Sequence, residues 1–248
     1  MKVIKKINFV LLFCVAKMAV AQNSNGYFHK NNYYDVSLAA GKQQFSEALS
    51  WTHLHAFGKK NQVKIGYGLR YTNYNSRNKF YTTAPAELTS TKQNLGTIFS
   101  PNIAENIDTL KIGTTRDNFL NITIHLQYSI KKFDFNFNID AAGVSFGNMP
   151  RGNYFVNNAA GNNYNGSFMP KASITGYNLL LTSDNDIGSL NSEFSIRYWF
   201  NDKLAVRAGY CFLFSEYTTD NELRLNNDRF RYKSRMALIA ITFSPFHN

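Results

Sequence analysis

The sequence predicts an all-β fold: a closed antiparallel up-and-down transmembrane β-barrel of eight strands with long external loops. Three observations carry this expectation. Leu120 to Phe146 reads as two long alternating strands joined by a tight turn. An export signal opens the chain. Tight turns and long polar connections then alternate to its end.

The Leu120–Phe146 stretch sets the pattern. Leu120, Ile122, Ile124, Leu126, Tyr128 and Ile130 share one face, with Asn121, Thr123, His125, Gln127 and Ser129 on the other. After Lys131-Lys132, Phe133, Phe135, Phe137, Ile139 and Ala141 alternate with Asp134, Asn136, Asn138 and Asp140. Period-2 alternation places every apolar side chain on one side of a sheet. A run of about 10 residues matches a tilted membrane-crossing strand. Alternation by itself leaves open whether the apolar face meets a core or lipid.

The first element is the export signal. Lys2, Lys5 and Lys6 form a basic start, Ile7 to Ala16 an apolar run, and Ala19-Val20-Ala21 a cleavage site, so 1–21 is a signal peptide and 22–248 the mature domain. Cys14 invites a lipoprotein reading, but Phe13 is too bulky for the small residue that reading requires before the cysteine. The net charge is +11, and four of the 27 basic residues fall in the signal. No Lys/Arg cluster stands out, which argues against nucleic acid as a partner and for anionic headgroups. Cys211 is the one cysteine of the mature domain, so no internal disulfide forms. No later segment is apolar over the roughly 18 residues that a spanning helix needs.

Eight strands follow: 32–41, 47–57, 62–75, 120–130, 133–141, 190–200, 203–217 and 229–243. In the second, either Leu49, Trp51 and Phe57 or Leu54 and its small neighbours face outward. In the last, apolar parity switches beyond Met236. Either a β-bulge near Arg235–Ala237 reconciles the halves, or Met236, Leu238 and Ala240 face lipid without a switch. Gly58–Asn61, Lys131–Lys132 and Asn201–Asp202 are tight turns. Long polar segments cover 76–117 and 147–189, and a shorter one 218–228. Tight turns on one side and long loops on the other is the plan of an outer-membrane barrel.

A spanning sheet must close, because open edges in lipid leave backbone groups unpaired. Its polar face then becomes a lumen. Asp35, Lys64, Arg70, His125, Asp134, Asp140, Glu193, Arg197 and Arg207 are expected to form a self-satisfied polar network there. An ordinary wet surface of a soluble sheet would read the same way.

The signal, the hairpin plan and the ending Ala237-Leu238-Ile239-Ala240-Ile241-Thr242-Phe243 resemble a small bacterial outer-membrane β-barrel of the porin or OmpA-barrel kind. The Asn-, Tyr- and Phe-rich loops are similar to uncharacterised Bacteroidetes barrels. The resemblance implies an outer-membrane location, contact with lipid and lipopolysaccharide, and recognition of the last strand by the barrel-assembly machinery. Phe243 or Phe246 would supply the terminal aromatic, although the tail Ser244 to Asn248 runs past the usual end.

Little in the sequence points to chemistry. His53 and His55 share a strand face and could bind a metal or act as a base, or be plain lumen or interface residues. His247, the one late histidine, lies in the tail. Ser183-Asp184-Asn185-Asp186-Ile187-Gly188 resembles part of a calcium loop but lacks the closing glutamate, and turn chemistry explains it equally. Gly66 and Gly68 lie mid-strand and would relieve crowding in a narrow barrel. No cofactor, metal or catalytic residue is expected. The sequence therefore predicts a non-enzymatic anchor whose loops 76–117 and 147–189 carry any extracellular recognition. A narrow pore or solute transporter, a lipid-modifying enzyme and a soluble periplasmic barrel are the alternatives.

Overall fold

The computed structural model describes residues 31–58, 60–90, 103–157, 166–181 and 185–245. The signal peptide with Cys14, the Ser183-Asp184 half of the Asp-rich turn, and Phe246 and His247 lie outside the described residues. Eleven strands form one sheet: β1 (Asn32–Gly41), β2 (Gln44–Phe57), β3 (Val63–Thr83), β4 (Thr109–Ile130), β5 (Phe133–Gly147), β6 (Gly152–Phe155), β7 (Ala172–Ile174), β8 (Tyr177–Leu179), β9 (Leu190–Trp199), β10 (Leu204–Thr219) and β11 (Arg229–Phe243).

Eight of them close a ring. Each long strand pairs antiparallel with the next in the order β1-β2-β3-β4-β5-β9-β10-β11, and β11 returns to β1 from Tyr34↔Phe243 to Ala40↔Ala237. This is the predicted eight-stranded up-and-down barrel. The turns β2–β3, β4–β5 and β9–β10 lie together with the start of β1 and the end of β11, here called the turn end. Their local chemistry is plain: Gly58, Asn61 and Lys131 take positive φ, and Asn201 Oδ1 accepts from the Lys203 and Leu204 amides at 2.9 and 2.8 Å.

Alternation sorts the two faces. Val36, Leu49, Ile65, Ile122, Ile124, Phe137, Phe194, Tyr210 and Ile239 all point outward and stay substantially exposed, Ile122 at 53% and Ile239 at 63%. The facing positions are buried and mostly polar. In β2 the outward set is Phe45, Leu49, Trp51 and Phe57, and Leu54 turns inward.

Three expectations are corrected. The first concerns the long loops. β3 runs on to Thr83 and β4 begins at Thr109, so most of the outer parts of 76–117 is sheet, and β6, β7 and β8 occupy part of 147–189. These extensions build a second closed circuit at the loop end. The β1–β2 hairpin stops at Gly41 and Gln44, and above it β3 pairs directly with β11 through Thr83↔Phe230 and Thr82↔Arg231. β6 joins β4, an Arg151↔Lys171 bridge links the segments of β6 and β7, and β7 joins β10. β8 takes over beside β5 where β9 ends.

The second correction concerns β11. Its pairing with β10 runs unbroken from Thr218↔Arg229 to Leu204↔Phe243, with no bulge at 235–237. Met236, Leu238 and Ala240 face inward, while Lys233, Arg235, Ala237, Ile239 and Ile241 face outward. The parity break lies higher, where Phe230 and Arg231 are both buried because the sheet there is covered on both sides. The third is an unpredicted irregularity in β5. The register with β4 shifts between Ile122 and Thr123, which skips Ala141 and turns Val144 and Phe146 outward.

Gly66 shows the tightness of the ring. A Cβ there would sit 2.0 Å from the His53 carbonyl oxygen, and both backbones are held in the β2–β3 ladder. Gly66→Val should abolish refolding, seen as loss of the compact, faster-migrating species on an unheated gel. Gly113→Ala, where a Cβ meets nothing within 4 Å, should leave that species intact.

Candidate functional site: the barrel interior

The nine polar residues expected in the lumen all sit inside the ring, none more than 7% exposed. Four are cationic (Lys64, Arg70, Arg197, Arg207) and four anionic (Asp35, Asp134, Asp140, Glu193), with His125 as the ninth. They come from six of the eight ring strands, so the pairing is inherently tertiary.

Near the turn end the organising group is Arg197. Its guanidinium lies 3.9 Å from the centre of the Tyr33 ring. Its Nη2 meets Asp35 at 3.3 Å, its Nη1 Asp134 at 3.4 Å and Gln127 at 3.2 Å, and its Nε Thr242 at 2.9 Å. The Thr242 hydroxyl donates in turn to Asp35. Asp134 also accepts from Trp199 Nε1 and from Ser129, both at 2.7 Å.

Midway along the barrel a second group forms. Arg70 donates through Nε to Asp140 at 3.1 Å, reaches the same carboxylate through Nη2, and pairs with Glu193 at 2.9 Å. Asn138 Oδ1 and the Asn191 carbonyl, at 2.8 and 2.9 Å, take further guanidinium hydrogens. Glu193 also receives Arg207 at 2.6 Å, and Arg207 Nε lies 3.8 Å from Asp35, which links the two groups. Asp140 is completed by Asn121 and the Asn191 amide at 2.7 and 2.8 Å. His125 Nε2 lies 2.7 Å from Thr123 Oγ1. Lys64 is fully buried on the same face of β3.

The network matters energetically because desolvated charges are costly unless every charge has a counter-charge and its remaining hydrogen-bonding capacity is filled. Equal numbers of acids and bases meet the first condition, and the asparagine, threonine, serine and tryptophan donors and acceptors meet most of the second; Arg207 Nε, 3.8 Å from Asp35, makes no hydrogen bond.

Toward the loop end the interior changes character. Tyr74, Tyr81, Leu110, Phe119, Leu213, Tyr217 and Phe230 pack into one apolar cluster with Ile112, Tyr154, Met236 and Leu238. Tyr81 meets Tyr217 edge-on at 5.4 Å, and Tyr154 meets Phe230 at 6.0 Å. Sequence reading by strict alternation missed this cap. The available signal was adjacency: Phe80-Tyr81, Phe119-Leu120 and Phe212-Leu213-Phe214 put apolar groups on both faces of one strand. It also missed Tyr33 and Trp199, the aromatic partners of Arg197 and Asp134.

Around the cap, buried acids tie the connections down. Asp108 accepts from Tyr154 at 2.6 Å, the Asn157 amide at 3.0 Å, and Arg224 Nη2 and Nε at 2.9 and 3.0 Å. Burial, with the Asp108 carboxylate alongside, pushes the Tyr154 phenol well above its ordinary value, so it stays protonated as the donor. Glu216 holds Arg229 at 2.9 Å, Arg231 at 2.8 Å and the Gly188 amide at 3.1 Å. The Asp186 carbonyl accepts from both arginines and its carboxylate from the Leu181 amide.

His53 and His55 face outward, not into the lumen. Their rings lie 4.7 Å apart beside Trp51 and Tyr67, and His53 Nδ1 is 2.6 Å from Asn32 Oδ1. Among the described residues, no group of three His, Cys, Asp or Glu is placed to hold a metal ion.

Two substitutions probe the two halves. Glu193→Gln leaves Arg70 and Arg207 short of a counter-charge and should destabilise the barrel by about 3–5 kcal/mol. Phe119→Ala opens a cavity in the cap and should cost about 3–5 kcal/mol. Urea unfolding of the reconstituted protein, followed by tryptophan fluorescence, checks both.

No protein-family model matches the chain, and no curated protein does. Among solved structures, Neisserial surface protein A (NspA) is similar at 8% identity and a TM-score of 0.36, over 86% of this chain and 97% of that one. The Ralstonia pickettii toluene transporter TbuX is similar at 9% identity and a TM-score of 0.18, over 84% of this chain and 70% of that one. Both likenesses are weak, and the barrel assignment rests on the closed register of this chain.

Proposed function

We propose that this protein is an integral outer-membrane β-barrel that acts as a non-enzymatic anchor and presents its loop-end cap outside the cell. The observation that carries the reading is the reversal of polarity across the sheet. Apolar side chains cover the outside of the ring, and paired charges fill the inside. Only lipid makes such an exterior favourable, and only a closed sheet satisfies its own backbone there. The export signal read from the sequence and the one-sided arrangement of turns support the outer membrane as that lipid environment.

The packed interior supports an anchor over a conduit. A water-filled pore would leave its lining exposed, whereas the lumen charges here are buried and an apolar core covers them at the loop end. The cap is braced by the Asp108 and Glu216 ion pairs, which makes it a rigid platform for recognition.

Three measurements test this. The protein should partition with membranes and need detergent for extraction. Its unheated form should migrate differently from its boiled form. In planar bilayers it should insert without steady conductance. Release into the soluble fraction without detergent would refute the membrane reading, and a reproducible open channel would refute the filled anchor.

A further inference from the structure

The short β1–β2 hairpin leaves a step on the outside of the barrel. It ends at Gly41–Gln44, while the neighbouring β3–β4 ribbon continues past it. A groove of about 670 Å³ lies at this step, lined among others by Gln43, Phe45, Asn73, Asn75, Arg77 and Arg116.

The chemistry of the outer face changes in order along this ribbon. Lowest are Leu69, Ile122, Tyr71 and Leu120, part of the apolar belt. Next comes a neutral ladder: Tyr71 Oη and Asn73 Nδ2 donate to Asn118 Oδ1 at 2.7 and 2.8 Å, and Asn75 Nδ2 donates to Asn73 Oδ1 at 2.6 Å. Above the ladder stand Arg77 and Arg116, diagonal neighbours through the pairs Arg77↔Thr114 and Asn75↔Arg116. Both are exposed, and among the described residues neither guanidinium has a hydrogen-bond or carboxylate partner. Arg70, Arg197, Arg207, Arg224, Arg229 and Arg231 each sit on an acid. The one carboxylate on the outward face of β2, β3 and β4 is Glu47, which pairs with Asn73 and so stands level with the ladder, one row below Arg116 and two below Arg77.

Apolar side chains, then neutral hydrogen-bonding groups, then a pair of unpartnered guanidiniums reproduce the order of acyl chain, sugar and phosphate in a phosphorylated glycolipid. We propose that this groove binds one outer-leaflet phosphoglycolipid, with its phosphate between Arg77 and Arg116, its sugar on the asparagine ladder and an acyl chain along Phe45 and the belt below. Guanidinium pairs suit phosphate through several charge-assisted hydrogen bonds, and the low-dielectric flank of the bilayer strengthens them. The inference rests on the membrane-spanning reading above.

The test is native mass spectrometry of the refolded full chain in a neutral detergent, titrated with lipid A carrying both phosphates, lipid A with its phosphates removed, and inorganic phosphate. One tight adduct is expected with the phosphorylated lipid, and much weaker binding of the other two. Arg77→Ala/Arg116→Ala should weaken the lipid adduct about tenfold or more, in line with the loss of charged hydrogen bonds. Arg77→Lys/Arg116→Lys should recover part of it, and Arg151→Ala, an exposed basic residue of the cap, should change nothing. Equal binding of phosphorylated and phosphate-free lipid, or an unaltered adduct in the double alanine variant, would overturn the proposal. So would inorganic phosphate competing as well as the lipid, which would make the site one for a free anion. The unheated gel shift run on the same samples separates the two readings: a protein that folds without detergent fails the membrane reading, whereas a folded barrel indifferent to lipid phosphate fails only this one.

Discussion

Closure of the sheet is the constraint on which everything else depends. The seven pairs from Tyr34↔Phe243 to Ala40↔Ala237 join the first strand to the last, and without them two edges of unpaired amides and carbonyls would face hydrocarbon. Closure also divides space into an outside and an inside with no route between them. Strict alternation in Leu120–Ile130 and Phe133–Ile139 then places every isoleucine, leucine and phenylalanine outside and every asparagine and aspartate inside.

An inside that narrow must satisfy itself. Arg70, Asp140, Glu193 and Arg207 form one continuous chain of pairs, and Asp35 carries it to Arg197 and Asp134. Every participant lies on a different strand from its partners. The network therefore forms only as the ring closes, and it penalises any slip in register by stranding a buried charge. In this reading the lumen serves structural specificity, since its charges are buried and paired with one another.

The loop end follows different physics. Once β3, β4, β10 and β11 rise beyond the short hairpin, the interior turns from paired charges to an apolar core. Tyr81, Phe119, Tyr217 and Phe230 supply it. β3 and β4 turn over together near Asn78 and Gly113, so that Phe80 and Thr82 take the outward positions above. The same two strands thus carry an outward apolar pattern below, which the proposed function assigns to lipid, and a more polar outward pattern above. The outer groove at Arg77 and Arg116 sits at this changeover.

Alternation along single strands is a local property, so the sequence alone determined the eight ring strands, the tight turns, and which residues share an apolar face and which a polar one. Asp35, Arg70, Glu193 and Arg197 are readable as sharing the polar face because parity needs no partner. Three things were not local and had to await the tertiary structure. Which acid meets which base depends on register across the closed ring, as in Arg70 reaching Asp140 and Glu193 on two other strands. The extensions of β3 and β4 were hidden because their polar, outward asparagines and arginines look like loop composition until a partner strand is placed beside them. The facing of β11 was misjudged at Met236 because its inner side passes from charges to the apolar cap. Periodicity in a sequence reports which residues share a side. Only the closed sheet decides whether that side meets lipid, water, a counter-charge or a hydrophobic core.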